Sequence, residues 1–335
     1  MWEWEQRRPH CCVKIGPREV AWAEVHRDWR GRAQYRTEVG ALPDGVIRVS
    51  PLEPNVLKPE DLKHRIRVLT TPAKPRKPGL RDRLGQLPRA VTLVVPDVAV
   101  RLALLHLQDL PTRNEEREAL IRWRLGQDQL LSPTGSRICF QVLPAAERLT
   151  GSRNTVLAVL AQEPVLEQYE SVCEAVGLLP QPVEVSSLTL FNLWVRALGG
   201  IHRLVADFLW VNVSDGGFTA LVFHRGHLVF LRTKLQGISG VRSVGATEQS
   251  PSWIDTVIAE CAASVYACQQ HHPALAVTNV VITGLEEIQR EQSDKLAKEL
   301  DVTVKILGWD QLCREAGKPP CIQSASVLPA MAGIL

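Results

Sequence analysis

Two short polar breaks in otherwise apolar sequence carry the residue types best suited to chemistry. One is Ser214-Asp215-Gly216-Gly217, between the apolar runs Leu204–Val213 and Phe218–Phe223. Glycines there let backbone amides approach a phosphate closely, and Asp215 beside them could reach a metal ion. The same four residues equally suit a plain hairpin turn, because Asp and Gly tolerate its backbone angles. The other break follows Val13-Lys14-Ile15-Gly16, whose lysine either touches phosphate as a point charge or is an ordinary solvated strand residue. No serine-hydrolase nucleophile turn and no eight-residue phosphate loop ending in Gly-Lys-Ser/Thr occurs, so standalone hydrolase or P-loop chemistry has no support.

Metal chemistry is equally unsupported by spacing. Eight cysteines occur without a C-x-x-C pair, and several fall on apolar faces, which reads as buried reduced thiols. His271-His272 has no third ligand nearby and suits a helix C-terminus that favours imidazolium.

The elements that must position these residues follow from periodicity. Residues 204–234 form three apolar runs with Gly-marked reversals, the pattern of a three-strand antiparallel meander. Its first run is apolar almost throughout, as expected of a central strand buried on both faces. A second meander opens the chain: strands are expected at Cys11–Ile15, Glu19–Val25 and Arg32–Val39. After each meander, apolar runs alternate with helical patterns. Strands are expected at Ala90–Val95, Val98–Leu107, Arg137–Leu143, Thr155–Ala161, Pro182–Val185, Val277–Thr283 and Val302–Leu307. Helices are expected over 58–69, after a capping box at Thr112–Glu115, over Val165–Val176, after a Ser186-Ser187 cap, over Trp253–Gln270 and over Glu286–Leu300. Two similar halves, each opening with a meander, point to one duplicated α/β fold.

Bulk composition narrows the classes. The chain has 335 residues, is 45% hydrophobic and 22% charged, and carries a net charge of +3, which argues against a dedicated nucleic-acid binder. No apolar run approaches the roughly 18 residues of a membrane span, and the N-terminus lacks the order of a secretory signal. A soluble cytoplasmic protein is the expectation. Charge is nevertheless concentrated: residues 58–89 hold ten Lys or Arg against three acids. That stretch reads either as a solvated linker or as a surface for anionic lipid headgroups; no aromatic residue interleaves it as a nucleic-acid patch would require. Trp2 and Trp4, alternating with Glu3 and Glu5, suit either an exposed strand or a disordered terminus.

The order and spacing of these elements resemble the PilM-like family of type IV pilus assembly, actin-like proteins related to FtsA. The likeness covers most of the chain. It is carried by Val13-Lys14-Ile15-Gly16, by Leu93-Val94-Val95-Pro96-Asp97-Val98-Ala99-Val100 and by Cys139-Phe140-Gln141-Val142-Leu143. Pro182-Val183-Glu184-Val185-Ser186-Ser187-Leu188, Val211-Asn212-Val213-Ser214, Val280-Val281-Ile282-Thr283-Gly284 and the Ala/Gly/Leu segment Ser326–Leu335 continue it. The resemblance implies an α/β, actin-like (RNase H-like) two-lobed fold with mixed sheets flanked by helices and an inserted subdomain. The first lobe would be residues 1–97, completed by 181–200 and 326–335; the insertion 98–180; the second lobe 201–325.

It also implies where a nucleotide would sit: Lys14, Gly16, Asn212, Ser214, Asp215, Gly216, Gly217 and Gly284. In the family each phosphate hairpin presents an Asp that holds magnesium through water. Here those two positions are Lys14 and Asn212. Asn brings no charge to a divalent ion, and a Lys repels it: two like unit charges at ~4 Å already cost about 1 kcal/mol in water and more in a cleft. Leu285 stands where a second adenosine-side glycine is expected, and Gly237–Ser250 is short for the outer subdomain of the second lobe. The resemblance thus leads to a scaffold whose cofactor is either absent or ATP, with doubtful magnesium dependence. Its expected partner is the N-terminal cytoplasmic peptide of a PilN-like inner-membrane pilus assembly protein, with an anionic membrane surface at 58–89 and no nucleic acid. Alternatives are a nucleotide-switched actin-like ATPase and the cytoplasmic component of a type II secretion platform.

Overall fold

The computed structural model describes residues 8–27, 29–71, 88–127, 134–144, 153–200, 206–214, 217–235, 253–284, 290–308 and 325–335. The opening meander is β1 (Cys11–Ile15), β2 (Glu19–Arg27) and β3 (Ala33–Ala41), followed by α1 (Pro59–Thr70) and β4 (Arg89–Val95). A 3-10 turn over Asp97–Ala99 leads into β5 (Arg101–Leu107), α2 (Asn114–Gly126), β6 (Ser136–Leu143) and β7 (Asn154–Gln162). Then come α3 (Glu163–Glu174), β8 (Leu178–Val185) and α4 (Ser186–Ala197). The second meander is β9 (Phe208–Ser214), β10 (Gly217–His224) and β11 (His227–Leu235). After it the chain continues through α5 (Trp253–His271), β12 (Asn279–Thr283), α6 (Arg290–Leu300), β13 (Thr303–Leu307) and α7 (Leu328–Ala332).

The duplication expected from the two meanders appears in the topology. One five-stranded sheet has the order β3-β2-β1-β4-β8 and the other β11-β10-β9-β12-β13, the same order with each strand replaced by its counterpart. In both, the first strand is antiparallel to the second and parallel to the fourth. A separate three-stranded sheet, β5-β7-β6, is drawn wholly from residues 101–162, within the stretch read as an insertion.

Strand periodicity sorts the core. On β9, Phe208 and Trp210 face one way, while Leu209, Val211 and Val213 face the other toward α5. On β1, Cys12 faces the layer between the two large sheets, whereas Cys11, Val13 and Ile15 face the side covered by α1 and α3. The layer between the sheets is filled by α4 and α7. One buried apolar cluster runs from Cys12, Ala21 and Val94 through Phe191, Trp194 and Met331 to Trp210, Phe223 and Val281. Its centre is aromatic: Phe191 stacks on Phe223 at 5.0 Å, Phe223 on Phe208 at 4.7 Å, and Phe191 meets Trp210 edge-on at 5.5 Å. The C-terminal segment is tied down as well, with Thr92 Oγ1 donating to Gly333 O at 3.0 Å and Arg196 Nη1 to Leu335 O at 3.2 Å.

Two expected helix starts differ. Arg113 is the N-cap of α2 and makes no side-chain cap hydrogen bond, so the helix begins too late for Thr112 to close its capping box. Val185 is the N-cap of α4, which moves Ser186 and Ser187 into the first turn and frees Ser187 for another partner. Cys11, Cys12, Cys173, Cys261 and Cys268 are buried and free, and Cys139 is free and exposed. Cys313 and Cys321 lie outside the described residues, as do Trp2 and Trp4.

Phe191 is fully buried between the sheets and packs on Trp194, Trp210 and Phe223, so Phe191→Ala is expected to destabilise the whole protein by about 3–5 kcal/mol. Urea unfolding followed by tryptophan fluorescence would show a single transition at a lower midpoint.

Candidate functional site

Parallel strands of an α/β sheet hold ligands just beyond their carboxyl ends. In this chain those ends face each other across α4, and polar side chains meet there. Pro96, with φ −62° and ψ 144°, carries the chain out of β4 in extended form, and the 3-10 turn then buries Asp97 at 3% exposure. Ser187, in the first turn of α4, has a backbone amide with no partner inside its helix. That amide donates to Asp97 Oδ1 at 2.8 Å, and the Ser187 hydroxyl donates to Asp97 Oδ2. From the second sheet, Thr219 Oγ1 on β10 donates to Asp97 Oδ2 at 2.8 Å. Asn212, opposite Thr219 in the β9–β10 register, donates from Nδ2 to Ser187 Oγ at 2.8 Å and accepts from Thr283 Oγ1 at 2.9 Å. Asp97, Ser187, Asn212, Thr219 and Thr283 are all buried.

Burial pushes the Asp97 carboxyl above its ordinary value, against the opposing hydrogen bonds from Ser187, Thr219 and Asn212. Three donors reach its two oxygens, and Asn212 is engaged at both ends of its amide. The group is closed upon itself.

Of the residues expected at a nucleotide, the structure brings Asn212 and Gly284 together. A Cβ on Gly284 would lie 2.1 Å from Val213 O and 2.9 Å from Asn212 Oδ1, and its φ of +89° is left-handed. Gly217 is equally constrained: a Cβ there would lie 2.1 Å from Lys234 O and 3.0 Å from Val98 Cγ1. Ser214 Oγ donates to Gly217 O at 3.2 Å within the hairpin. Lys14 and Gly16 make their bonds elsewhere. Lys14 Nζ is 2.7 Å from Glu19 Oε1, and the Gly16 amide donates to Glu19 O at 2.9 Å, so both serve the β1–β2 turn. Among the described residues no hydrogen bond or ion pair joins the Lys14–Glu19 pair to the Asn212 group. Asp215 and Gly216 lie outside the described residues.

Among the described residues this arrangement does not suit a magnesium ion. The hydrogen bonds of Asp97 occupy both its oxygens, Asn212 is neutral and doubly bonded, and Lys14 is paired with an acid. Among the described residues no group of three or more His, Cys, Asp or Glu is arranged to hold a metal ion.

Sequence reasoning missed Asp97, Ser187, Thr219 and Thr283 as a group. A signal existed: Asn212, Thr219 and Thr283 interrupt or end strongly apolar strands, and a polar side chain there must find a partner when buried.

The raised Asp97 carboxyl has a consequence for stability against pH. The folded protein binds this proton more tightly than the unfolded chain does. The resulting stabilisation is full below the ordinary value of 3.8 and is lost as pH rises through the raised folded value. Asp97→Asn keeps the shape, and the neighbouring hydroxyls can reverse to accept from its amide. The variant should therefore gain stability relative to the native protein as pH rises from 4 to 8, a trend that urea unfolding at each pH would read.

No family model matches the chain, and no curated protein matches it. Solved structures do. A structure described as the PilM-PilN type IV pilus biogenesis complex superposes with a TM-score of 0.72 at 15% identity, covering 98% of this chain and 97% of that one. A Bacteroides thetaiotaomicron protein described as having an actin-like ATPase fold and unknown function gives 0.49 at 9% identity, with 92% and 94% covered. The cytoplasmic domain of EpsL, an inner membrane component of the Vibrio cholerae type II secretion system, gives 0.47 at 11% identity, with 91% and 93% covered. The chain shares its fold, over nearly its whole length, with the structure described as the PilM-PilN complex.

Proposed function

We propose that this chain is a scaffold of type IV pilus biogenesis that binds the cytoplasmic peptide of a PilN-like inner-membrane assembly protein and does so without ATP turnover. The observation that carries the reading is the near-complete superposition on the structure of a PilM-PilN complex. The self-paired cleft residues support the second half of it, since among the described residues both oxygens of Asp97 and both ends of the Asn212 amide already have hydrogen-bond partners. No helix among the described residues is long and apolar enough to cross a membrane, which suits a protein that meets the membrane through a partner. In this reading residues 58–89 lie against anionic headgroups; α1, Lys58 and the residues from Thr71 to the start of β4 belong to that stretch, of which 72–87 fall outside the described residues. We place the protein in the cytoplasm, peripheral to the inner membrane.

Two titrations test this. Calorimetry with a synthetic N-terminal peptide of the PilN-type protein from the same organism should give saturable binding that magnesium and ATP leave unchanged. Absence of binding removes the scaffold reading. ATP titrated into the native protein should give no heat with or without magnesium. Tight magnesium-dependent binding would instead select the nucleotide-switched ATPase, and a parallel sample carrying Lys14→Asp and Asn212→Asp shows whether the missing acids are the reason for silence.

A further inference from the structure

Clefts between two sheets of this kind are held together by whatever spans them. Here the spanning groups are side chains. Asp97 belongs to the end of β4 in the first sheet, Ser187 to the helix between the sheets, and Thr219, Asn212 and Thr283 to the second sheet. Thr219 reaches Asp97 directly across the gap at 2.8 Å, and Asn212 reaches it through Ser187. Each of these links joins residues at least 25 apart in the chain.

A second, independent contact closes the same gap. Val98, next to Asp97, packs against Gly217 so tightly that a Cβ on the glycine would come within 3.0 Å of Val98 Cγ1. The first sheet's exit turn and the start of β10 in the second sheet are thus in van der Waals contact. In a site shielded from water, hydrogen bonds to a carboxylate are stronger than neutral ones, and a network with every member satisfied is rigid.

We propose that the Asp97–Ser187–Asn212–Thr219–Thr283 network, with the Val98–Gly217 contact, is a permanent latch that fixes the two sheets in the closed arrangement without any ligand. The bridge that a nucleotide-dependent protein of this shape would draw from its cofactor is supplied by the chain itself. The latch goes beyond the scaffold reading and does not depend on which partner is bound.

Hydrogen exchange of the full-length protein, read by mass spectrometry on peptides, tests it. In the native protein the peptides covering β9–β10 and the first turns of α4 should be strongly protected, and millimolar magnesium-ATP should leave that protection unchanged. Thr219→Val combined with Ser187→Ala removes two donors to Asp97 with little change in shape. Exchange in those peptides should rise by roughly tenfold or more, while α1 and β2 keep native rates. Thr219→Ser, which retains the hydroxyl, should remain near native. Any of three results overturns the latch: altered protection of the native cleft on adding magnesium-ATP, unchanged exchange in the double variant, or an equal rise throughout the molecule. If the double variant does not fold, the native protein with and without magnesium-ATP still decides. Peptide binding, measured separately, reports on the scaffold reading whether or not the latch survives.

Discussion

A carboxylate cannot be buried without donors, and the position of Asp97 imposes that constraint on two other parts of the chain. An isolated ionised group in an apolar interior is too costly to keep, so the surrounding structure must answer it. The answer comes from the first turn of α4, where Ser187 offers both its amide and its hydroxyl, and from β10, where Thr219 offers a second hydroxyl. Those donors are correctly placed only if α4 lies between the two sheets and the second meander approaches the end of β4. The aromatic layer of Phe191, Phe208, Trp210 and Phe223 supplies the apolar burial that holds them there. Packing brings the sheets together, and the polar group fixes their register.

The two halves share a topology but not an electrostatic design. At the end of β1, Lys14 finds its counter-charge locally, in Glu19 across the turn, and both side chains are mostly shielded from water. At the end of β9, Asn212 is neutral and finds its partners in other elements, Ser187 of α4 and Thr283 of β12. The first turn is therefore self-sufficient, whereas the second is woven into the interface between the sheets. A duplicated scaffold carries this asymmetry easily, because strand order depends on apolar alternation and leaves the strand ends free to differ.

That division also explains what could be read without coordinates. Strand and helix positions depend on near neighbours, and most of the expected elements form within a few residues of their expected limits. β9 is central and buried on both faces, as its almost continuously apolar run implied. The opening meander, the second meander and the alternation after each were legible for the same reason. The polar group was not, because its bonds join residues 25 to 122 apart, and spacing along the chain carries no information about such pairs. Ser186-Ser187 before an apolar helix is the ordinary mark of a cap; only the extra residue of extended chain at Val185 shows that Ser187 is occupied elsewhere. Asp97 precedes a strand expected from Val98, yet it opens a 3-10 turn over Asp97–Ala99 that buries it.

Glycines gave the same ambiguity in sharper form. Gly217 and Gly284 sit where a phosphate-approaching backbone would need them, and in sequence they support that role as well as any other. In the structure each is required by the protein's own backbone: Lys234 O crowds one and Val213 O the other, at 2.1 Å from where a Cβ would stand. A side chain is excluded at both positions whether or not a ligand ever arrives. Their presence is accounted for by strand packing alone, so they lend no weight to nucleotide binding. Weight rests instead on charge and on available partners: Asp97 and Asn212 both bond to Ser187, and Lys14, apart from them, is paired with Glu19.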